Sequence, residues 1–157
     1  MRIIIQNEAM CNKCGDVVYS AHVHDFRSCK CGAIAVDGGQ AYLRRVGDIA
    51  NFTDRSLTMD SEMLNRAKDA VEKARKKRNS SPLLTAAAII KSLARDRLLA
   101  TDILAATGPE KTLAAVTVSK CAEAVEWALN TNRNSYGVVF SVIRALRDRN
   151  VLKIEEF

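Results

Sequence analysis

The chain has 157 residues, of which 48% are hydrophobic, 27% charged and 5% aromatic, and its formal net charge is +6. This balance is typical of a globular protein and argues against a disordered chain, and no apolar run approaches the roughly 20 residues of a membrane span. The apolar stretch near the N-terminus is too short for a secretory signal, so we expect a cytoplasmic protein with reduced cysteines.

The positive charge is concentrated in one segment. Residues 1–58 carry seven basic and six acidic side chains, whereas residues 59–157 carry seventeen and twelve, a net charge of +5. The stretch from Arg66 to Arg78 contains seven basic side chains against Asp69 and Glu72, which is also +5. One segment therefore accounts for the whole C-terminal excess. Such a segment suits nucleic acid, an acidic protein or a membrane surface, and charge alone does not separate these partners.

The first third of the chain predicts short strands. Five of the seven glycines precede residue 48, and strands are predicted at residues 3–5, 17–19, 33–36 and 42–46. The sequence Asp37-Gly38-Gly39 predicts a tight hairpin turn before the last of these, because Asp and Gly tolerate positive φ. From Ser61 onward alanine, leucine and charged residues dominate. We therefore predict two domains, 1–58 and 59–157, and an α+β fold class.

Two cysteine pairs predict a metal site. The motif CNKCG is followed by CKCG, with fourteen residues between Cys14 and Cys29. Thiolates are soft ligands that zinc binds tetrahedrally, and a glycine after each pair eases the turn that aims both sulfurs at one ion. A domain this small buries too little apolar surface to fold unaided. The pattern predicts one structural zinc ion with a closed shell, held by Cys11, Cys14, Cys29 and Cys31.

The spacing of the second pair leaves alternatives open. In a straight strand Cys29 and Cys31 would point to opposite faces, so a shared ion requires a bend at Lys30. His22 or His24 could instead replace one cysteine, and a chain without metal is the third alternative. The fifth cysteine, Cys121, has no partner at metal spacing and is expected to be a buried apolar residue.

The remainder of the chain predicts an all-α domain. An amphipathic helix begins near Ser61 and carries the basic segment, and further helices are predicted at about 83–97, 101–107, 116–129 and 136–149, with a short strand at 151–155. Trp127 is expected in the core. Residues 101–129 suggest a helix-turn-helix and the C-terminal end suggests a winged helix, although the break from Gly108 to Ala115 is long for that motif. A helical bundle that docks on a protein, or forms a homodimer, is the alternative.

Basic side chains in two places are candidate contacts for a partner. The basic helix could lie against phosphates, or it could be a solvated face whose cations favour the helix C-terminus. Alternate strand residues face opposite ways, so only one of Arg44 and Arg45 can join a given surface. The candidate residues for binding nucleic acid or a partner are Arg44, Arg45, Lys73, Arg75, Lys76, Lys77 and Arg78.

The N-terminal segments CNKCGD, HDFRSCKCG and VDGGQAYLRR resemble small zinc-ribbon or zinc-knuckle proteins of phages and mobile elements. The resemblance covers about the first 47 residues and implies action in a host cytoplasm by binding. We therefore expect a non-catalytic, zinc-stabilised regulator that contacts nucleic acid. The alternative is an inhibitor that binds a host protein complex. An enzyme is disfavoured, because no nucleophile–base pair, phosphate-binding loop or carboxylate pair stands out.

Overall fold

Strands precede helices in the computed structural model of the protein, which confirms the α+β class. It describes residues 1–78, 80–99 and 110–152, with side chains from 114 onward in the last range. The chain divides into two units, Met1–Ser61 and a helical unit that begins at Glu62. Each unit has its own secondary structure and is described separately below.

One long strand organises the N-terminal unit. β1 (Arg2–Cys11) pairs antiparallel with β2 (Val17–Ser20) on one side and with β6 (Phe52–Asp54) on the other, while its first half pairs with β7 (Leu57–Asp60). The predicted strand at residues 3–5 is confirmed, but it continues to Cys11. The polar residues of β1 concealed this length, because Asn7 and Glu8 are buried inside the unit.

A second sheet contains β3 (Arg27–Ser28), β4 (Ile34–Asp37) and β5 (Arg44–Gly47), and a 3₁₀ turn at Ile49–Asn51 leads back to β6. The tight turn predicted at Asp37-Gly38-Gly39 is wrong, because residues 38–43 form a longer connection. The cause is Asn7, whose Nδ2 donates to the carbonyl oxygens of Asp37 (2.9 Å) and Tyr42 (3.1 Å). The loop therefore closes around a side chain from the other sheet.

Arg45 joins the two sheets. Its guanidinium donates to Asn7 Oδ1 at 2.6 Å, to Ser56 Oγ at 2.6 Å and to Asp54 Oδ1 at 3.0 Å. The Arg45 side chain is only 13% exposed, so the structure does not place it on a binding surface as the sequence suggested. Arg44 is the outward-facing member of the pair, with a 62% exposed side chain 3.6 Å from Asp37 Oδ2.

Four helices form the described part of the second unit. They are α1 (Ser61–Arg75), α2 (Pro82–Arg95), α3 (Glu110–Asn130) and α4 (Ser135–Asp148). Ser81 caps α2 and Asn134 caps α4, each accepting a backbone N–H from the first turn. The core of this unit is aliphatic, with fully buried side chains that include Leu64, Ile89, Leu93, Val125, Val142 and Ile143. No described helix is long and apolar enough to cross a membrane.

The helix ends differ from the prediction at two places. α1 ends at Arg75, so Lys76, Lys77 and Arg78 follow the helix. α3 begins at Glu110, so the break that we predicted from Gly108 to Ala115 is wrong from Glu110 onward. Residues 110–115 are helical because they are largely strong helix formers. The helix predicted at 101–107 lies outside the described residues, so the helix-turn-helix stays a prediction. Of the C-terminal strand, Leu152 forms a bridge with Leu99, and 153–155 lie outside the described residues.

Two predictions about single residues have opposite outcomes. Cys121 is fully buried, as expected, and burial raises the pKa of its thiol to about 12. Trp127 was expected in the core but is 52% exposed, with the Arg133 guanidinium 5.6 Å from the ring centroid. The apolar periodicity of α3 grouped Trp127 with Val125 on the apolar face. It did not show that the Trp127 side chain faces solvent.

Replacing Asn7 with alanine should loosen the N-terminal unit by about 2 kcal/mol, because buried carbonyl groups and a guanidinium lose their partner. Hydrogen exchange of the β1 and β4 amides in the metal-saturated protein should then become about 30-fold faster. Asn51→Ala is the control, since Asn51 contributes only backbone groups to the described hydrogen bonds. Equal exchange rates in the two variants would contradict the role of Asn7.

Candidate metal centre

Two β-hairpin turns carry the four cysteines. Cys11 ends β1, and Cys14 lies in the turn that leads to β2. Cys29 follows β3, and Cys31 lies in the turn that leads to β4. The two turns close alike, because the N–H of the first cysteine donates to the carbonyl five residues later, Cys11 to Asp16 at 2.8 Å and Cys29 to Ile34 at 3.0 Å. The structure thus builds two similar turns from unequal cysteine spacings.

A left-handed glycine completes each turn. Gly15 and Gly32 have φ of 69° and 72°, a conformation that costs glycine least. The Gly32 N–H donates to the Cys29 carbonyl at 3.0 Å, which closes a turn around Lys30. This is the bend that the short C-x-C spacing requires, and it turns Cys31 towards the sulfur of Cys29.

The four sulfurs converge on one point. All lie within 4.8 Å of one another, with Sγ–Sγ distances of 3.5 Å between Cys29 and Cys31 and 3.7 Å between Cys11 and Cys31. Metal–sulfur bonds of about 2.3 Å in a tetrahedron place the sulfurs about 3.8 Å apart. The four cysteines are therefore positioned to hold a metal ion, and they form no disulfide.

Neither histidine belongs to this group in the described part of the chain. His22 is exposed, with Nδ1 3.2 Å from the Val23 carbonyl oxygen, and His24 adopts a positive φ of 65° in the same loop. The alternative in which His22 or His24 replaces a cysteine is not supported by this geometry.

The thiols have unequal pKa values because their hydrogen bonds differ. The N–H of Ile34, 3.4 Å from the Cys29 sulfur, lowers the pKa of Cys29 to about 6, and the N–H of Asp16 lowers that of Cys14. The Ala33 N–H also acts to lower the pKa of Cys31. The hydrogen bonds of Cys31 with Cys14 and Cys29 outweigh it and raise that pKa to about 12. Four sulfurs this close can all be thiolates only beside a cation, so the donor set fits a metal ion.

One cysteine of each turn is buried and the other is exposed. Cys11 and Cys29 are 0% and 4% exposed, whereas Cys14 and Cys31 face solvent. The buried pair belongs to a small apolar cluster that also contains Ala9, Val18, Ile34 and Val36. The metal site and the apolar core of these hairpins are therefore continuous.

Asp16 connects the two turns and was not recognised in the sequence. Its carboxylate accepts the Lys30 N–H at 3.0 Å and lies 3.5 Å from Lys30 Nζ, while its own N–H supports Cys14. The residue stands directly after the first glycine in CNKCGD. An acidic residue directly after the cysteine-glycine pair is the sequence signal that could have identified Asp16.

Comparison with known proteins adds one partial match. Residues 3–47 match the family described as a domain of unknown function, DUF7695. This segment runs from β1 to the end of β5 and includes all four cysteines, but it is under a third of the chain. No curated protein and no solved structure matches the chain. The description of the matched family names no activity or ligand.

The remaining predicted contact residues lie in the helical unit. Lys73 and Arg75 occupy the last turn of α1, and the residues from Lys76 to Arg78 continue beyond it. All five side chains are exposed. Together they form what we call the basic end of α1, defined as Lys73, Arg75, Lys76, Lys77 and Arg78.

Cys29→Ser should remove the metal and unfold the N-terminal hairpins, because it deletes a buried ligand from the apolar cluster. Elemental analysis should find one metal ion per chain in the wild type and close to none in the variant. Cys121→Ala changes a buried cysteine outside the site and should retain the metal. A full metal content in the Cys29 variant would show that the site is misassigned.

Asp16→Ala should lower the metal affinity about tenfold. This is the lower end of the loss expected when a residue that supports the metal ligands by hydrogen bonding is removed. Competition with a chromophoric chelator measures this affinity. Asp48→Ala is the matched control, because Asp48 caps the 3₁₀ turn of the same unit and makes no contact with the cysteine turns in the described hydrogen bonds. If both variants hold the metal equally tightly, Asp16 does not support the site.

Proposed function

We propose that this protein holds one structural zinc ion in its N-terminal unit and binds nucleic acid through its helical unit, without catalytic activity. The observation that carries the nucleic-acid part is the basic end of α1. Five exposed cations lie there within six residues, and none forms an ion pair among the described residues.

Several other cations of the same unit are paired, whereas the basic end places five cations, unpaired in the part of the chain that the structure describes, next to one another in the chain. The partners of the paired cations lie 2.7 to 3.5 Å away, in the pairs Arg66–Asp96, Lys68–Glu72, Lys120–Glu123 and Arg147–Asp148. A cluster of like charges that form no ion pairs raises the electrostatic energy of the free protein. A polyanion relieves this repulsion and releases counterions, which favours binding.

The helix dipole explains only part of the cluster. Lys73 and Arg75 lie in the last turn of α1, where a positive charge is stabilised in any helix. Lys76, Lys77 and Arg78 lie beyond the helix, where the dipole field declines within about a turn. Stabilisation of α1 therefore does not require all five cations, and a phosphate-bearing partner gives the remaining ones a role.

Zinc is the metal that fits the donor set best. Four cysteine thiolates in a tetrahedron are typical of zinc, with iron as the other common occupant. Four protein ligands leave no coordination position for water or substrate, so the ion would stabilise the fold and would not catalyse a reaction. This is the basis for proposing a binding protein and not a metal-dependent enzyme.

The nucleic-acid proposal is tested by fluorescence anisotropy with labelled single-stranded and duplex DNA at several salt concentrations. The wild type should bind at low salt, with an affinity that falls steeply as salt rises. The affinity of K73Q/R75Q/K76Q for DNA should fall by about tenfold or more. The slope of log affinity against log salt concentration should decrease by up to about three.

The control R97Q/K120Q/R133Q removes the same charge from exposed positions of the helical unit outside the basic end. It should retain most of the affinity, and circular dichroism should show that both variants are folded. Absence of wild-type binding at low salt would contradict the proposal, and so would equal losses in the two triple variants.

A further inference from the structure

A groove between α1 and α2 extends the basic surface beyond the segment that the sequence singled out. It has a volume of about 460 Å³, and both helices line it. Lys73 and Lys77 stand on the α1 side, and Lys91 and Arg95 stand on the α2 side. The two α2 cations are exposed and form no ion pair among the described residues. They lie too far from the basic segment in sequence to be connected with it before the fold is known.

The floor of the groove is small and apolar. Alanines of both helices, among them Ala70 and Ala87, line the groove together with the exposed side chain of Leu84. Arg66 bridges the helices by donating to Asp96 at 2.9 Å, which joins the first half of α1 to the C-terminal end of α2. An extended ligand could approach both helix surfaces closely here.

The cations are spaced for a chain of anions. Lys91 and Arg95 are four residues apart on α2, which separates their positions along the axis by about 6 Å. Lys73 and Lys77 have the same sequence spacing, with Lys77 two residues beyond the end of α1. Successive phosphates of a nucleic-acid strand are separated by a similar distance. Two pairs of cations along one groove suit a repeated charge better than a single anion.

We propose that the sugar–phosphate backbone of a nucleic-acid strand lies in this groove, with phosphates contacted by Lys73 of α1, by Lys77 just beyond α1, and by Lys91 and Arg95 of α2. This inference rests on the proposed function and states where on the helical unit the nucleic acid binds. It predicts that two residues outside the basic end of α1, Lys91 and Arg95, matter as much as the lysines within it.

Asp69 gives the inference a second test, because it is the acidic residue that lines the groove. It is exposed and stands one helical turn before Lys73, where its carboxylate would repel a bound phosphate. Asp69→Asn should therefore raise the affinity for nucleic acid about threefold, a change typical of one exposed charge interaction. Glu126→Gln makes the same charge change at an exposed site on α3 and should alter the affinity less.

The deciding experiment compares K91Q/R95Q with R75Q/R78Q by anisotropy, using labelled single-stranded DNA, duplex DNA and RNA in separate titrations. Arg75 and Arg78 do not line the groove, so both variants lose two charges but only the first changes the groove. K91Q/R95Q should lower the affinity about tenfold and the salt slope by about two, and R75Q/R78Q should have a smaller effect. The three probes distinguish which nucleic acid supplies the backbone.

The possible failures are distinct. If K91Q/R95Q binds like the wild type while K73Q/R75Q/K76Q loses affinity, the groove is not the site, although the protein still binds nucleic acid. An unchanged or lower affinity of folded Asp69→Asn would likewise overturn the placement. If the wild type binds none of the three probes at low salt, the proposed function fails together with the inference.

Discussion

The convergence of four cysteine sulfurs within 4.8 Å is the constraint on which the N-terminal unit depends. The two hairpins that carry them share a core of six buried residues, and two of these residues, Cys11 and Cys29, are candidate ligands. Apolar burial alone stabilises a domain of about sixty residues poorly. A metal ion bound by both turns would therefore supply a large part of the free energy of folding, because an unfolded chain presents no preformed site.

Polar contacts then determine how the two sheets meet. Asn7 and Arg45 are inside the unit, and their hydrogen bonds join β1, β5 and the segment after β6. The sequence had predicted Arg45 as a surface contact for a partner, but the fold uses it to join the two sheets. Residues 1–58 carry only one excess positive charge, so the electrostatic attraction for a polyanion lies mainly in the helical unit. Under the proposed function, the cysteine site and the basic groove would therefore serve different purposes in the same chain.

Features that depend on local sequence could be predicted. The cysteine spacing identified the four residues that the fold brings together, and apolar periodicity located α1, α2 and α4 to within a few residues. The missed features depend on contacts between distant residues. The loop after β4 is long because Asn7, thirty positions away, enters it. Arg45 is buried by partners on other strands, and Lys91 joins Lys73 only because two helices lie side by side. The exposure of Trp127 was missed for a similar reason. Periodicity predicts which residues share a face of a helix, but it does not predict which element packs against that face.

The stabilising role of the metal is tested most directly by nuclear magnetic resonance of the full chain before and after removal of the ion with a chelator. Chemical-shift dispersion should collapse for residues 1–61, while the resonances of α1 to α4 stay in place, and one equivalent of zinc should restore the original spectrum. A dispersed N-terminal spectrum in protein shown to be free of metal would contradict this account, because the hairpins would then fold without the ion.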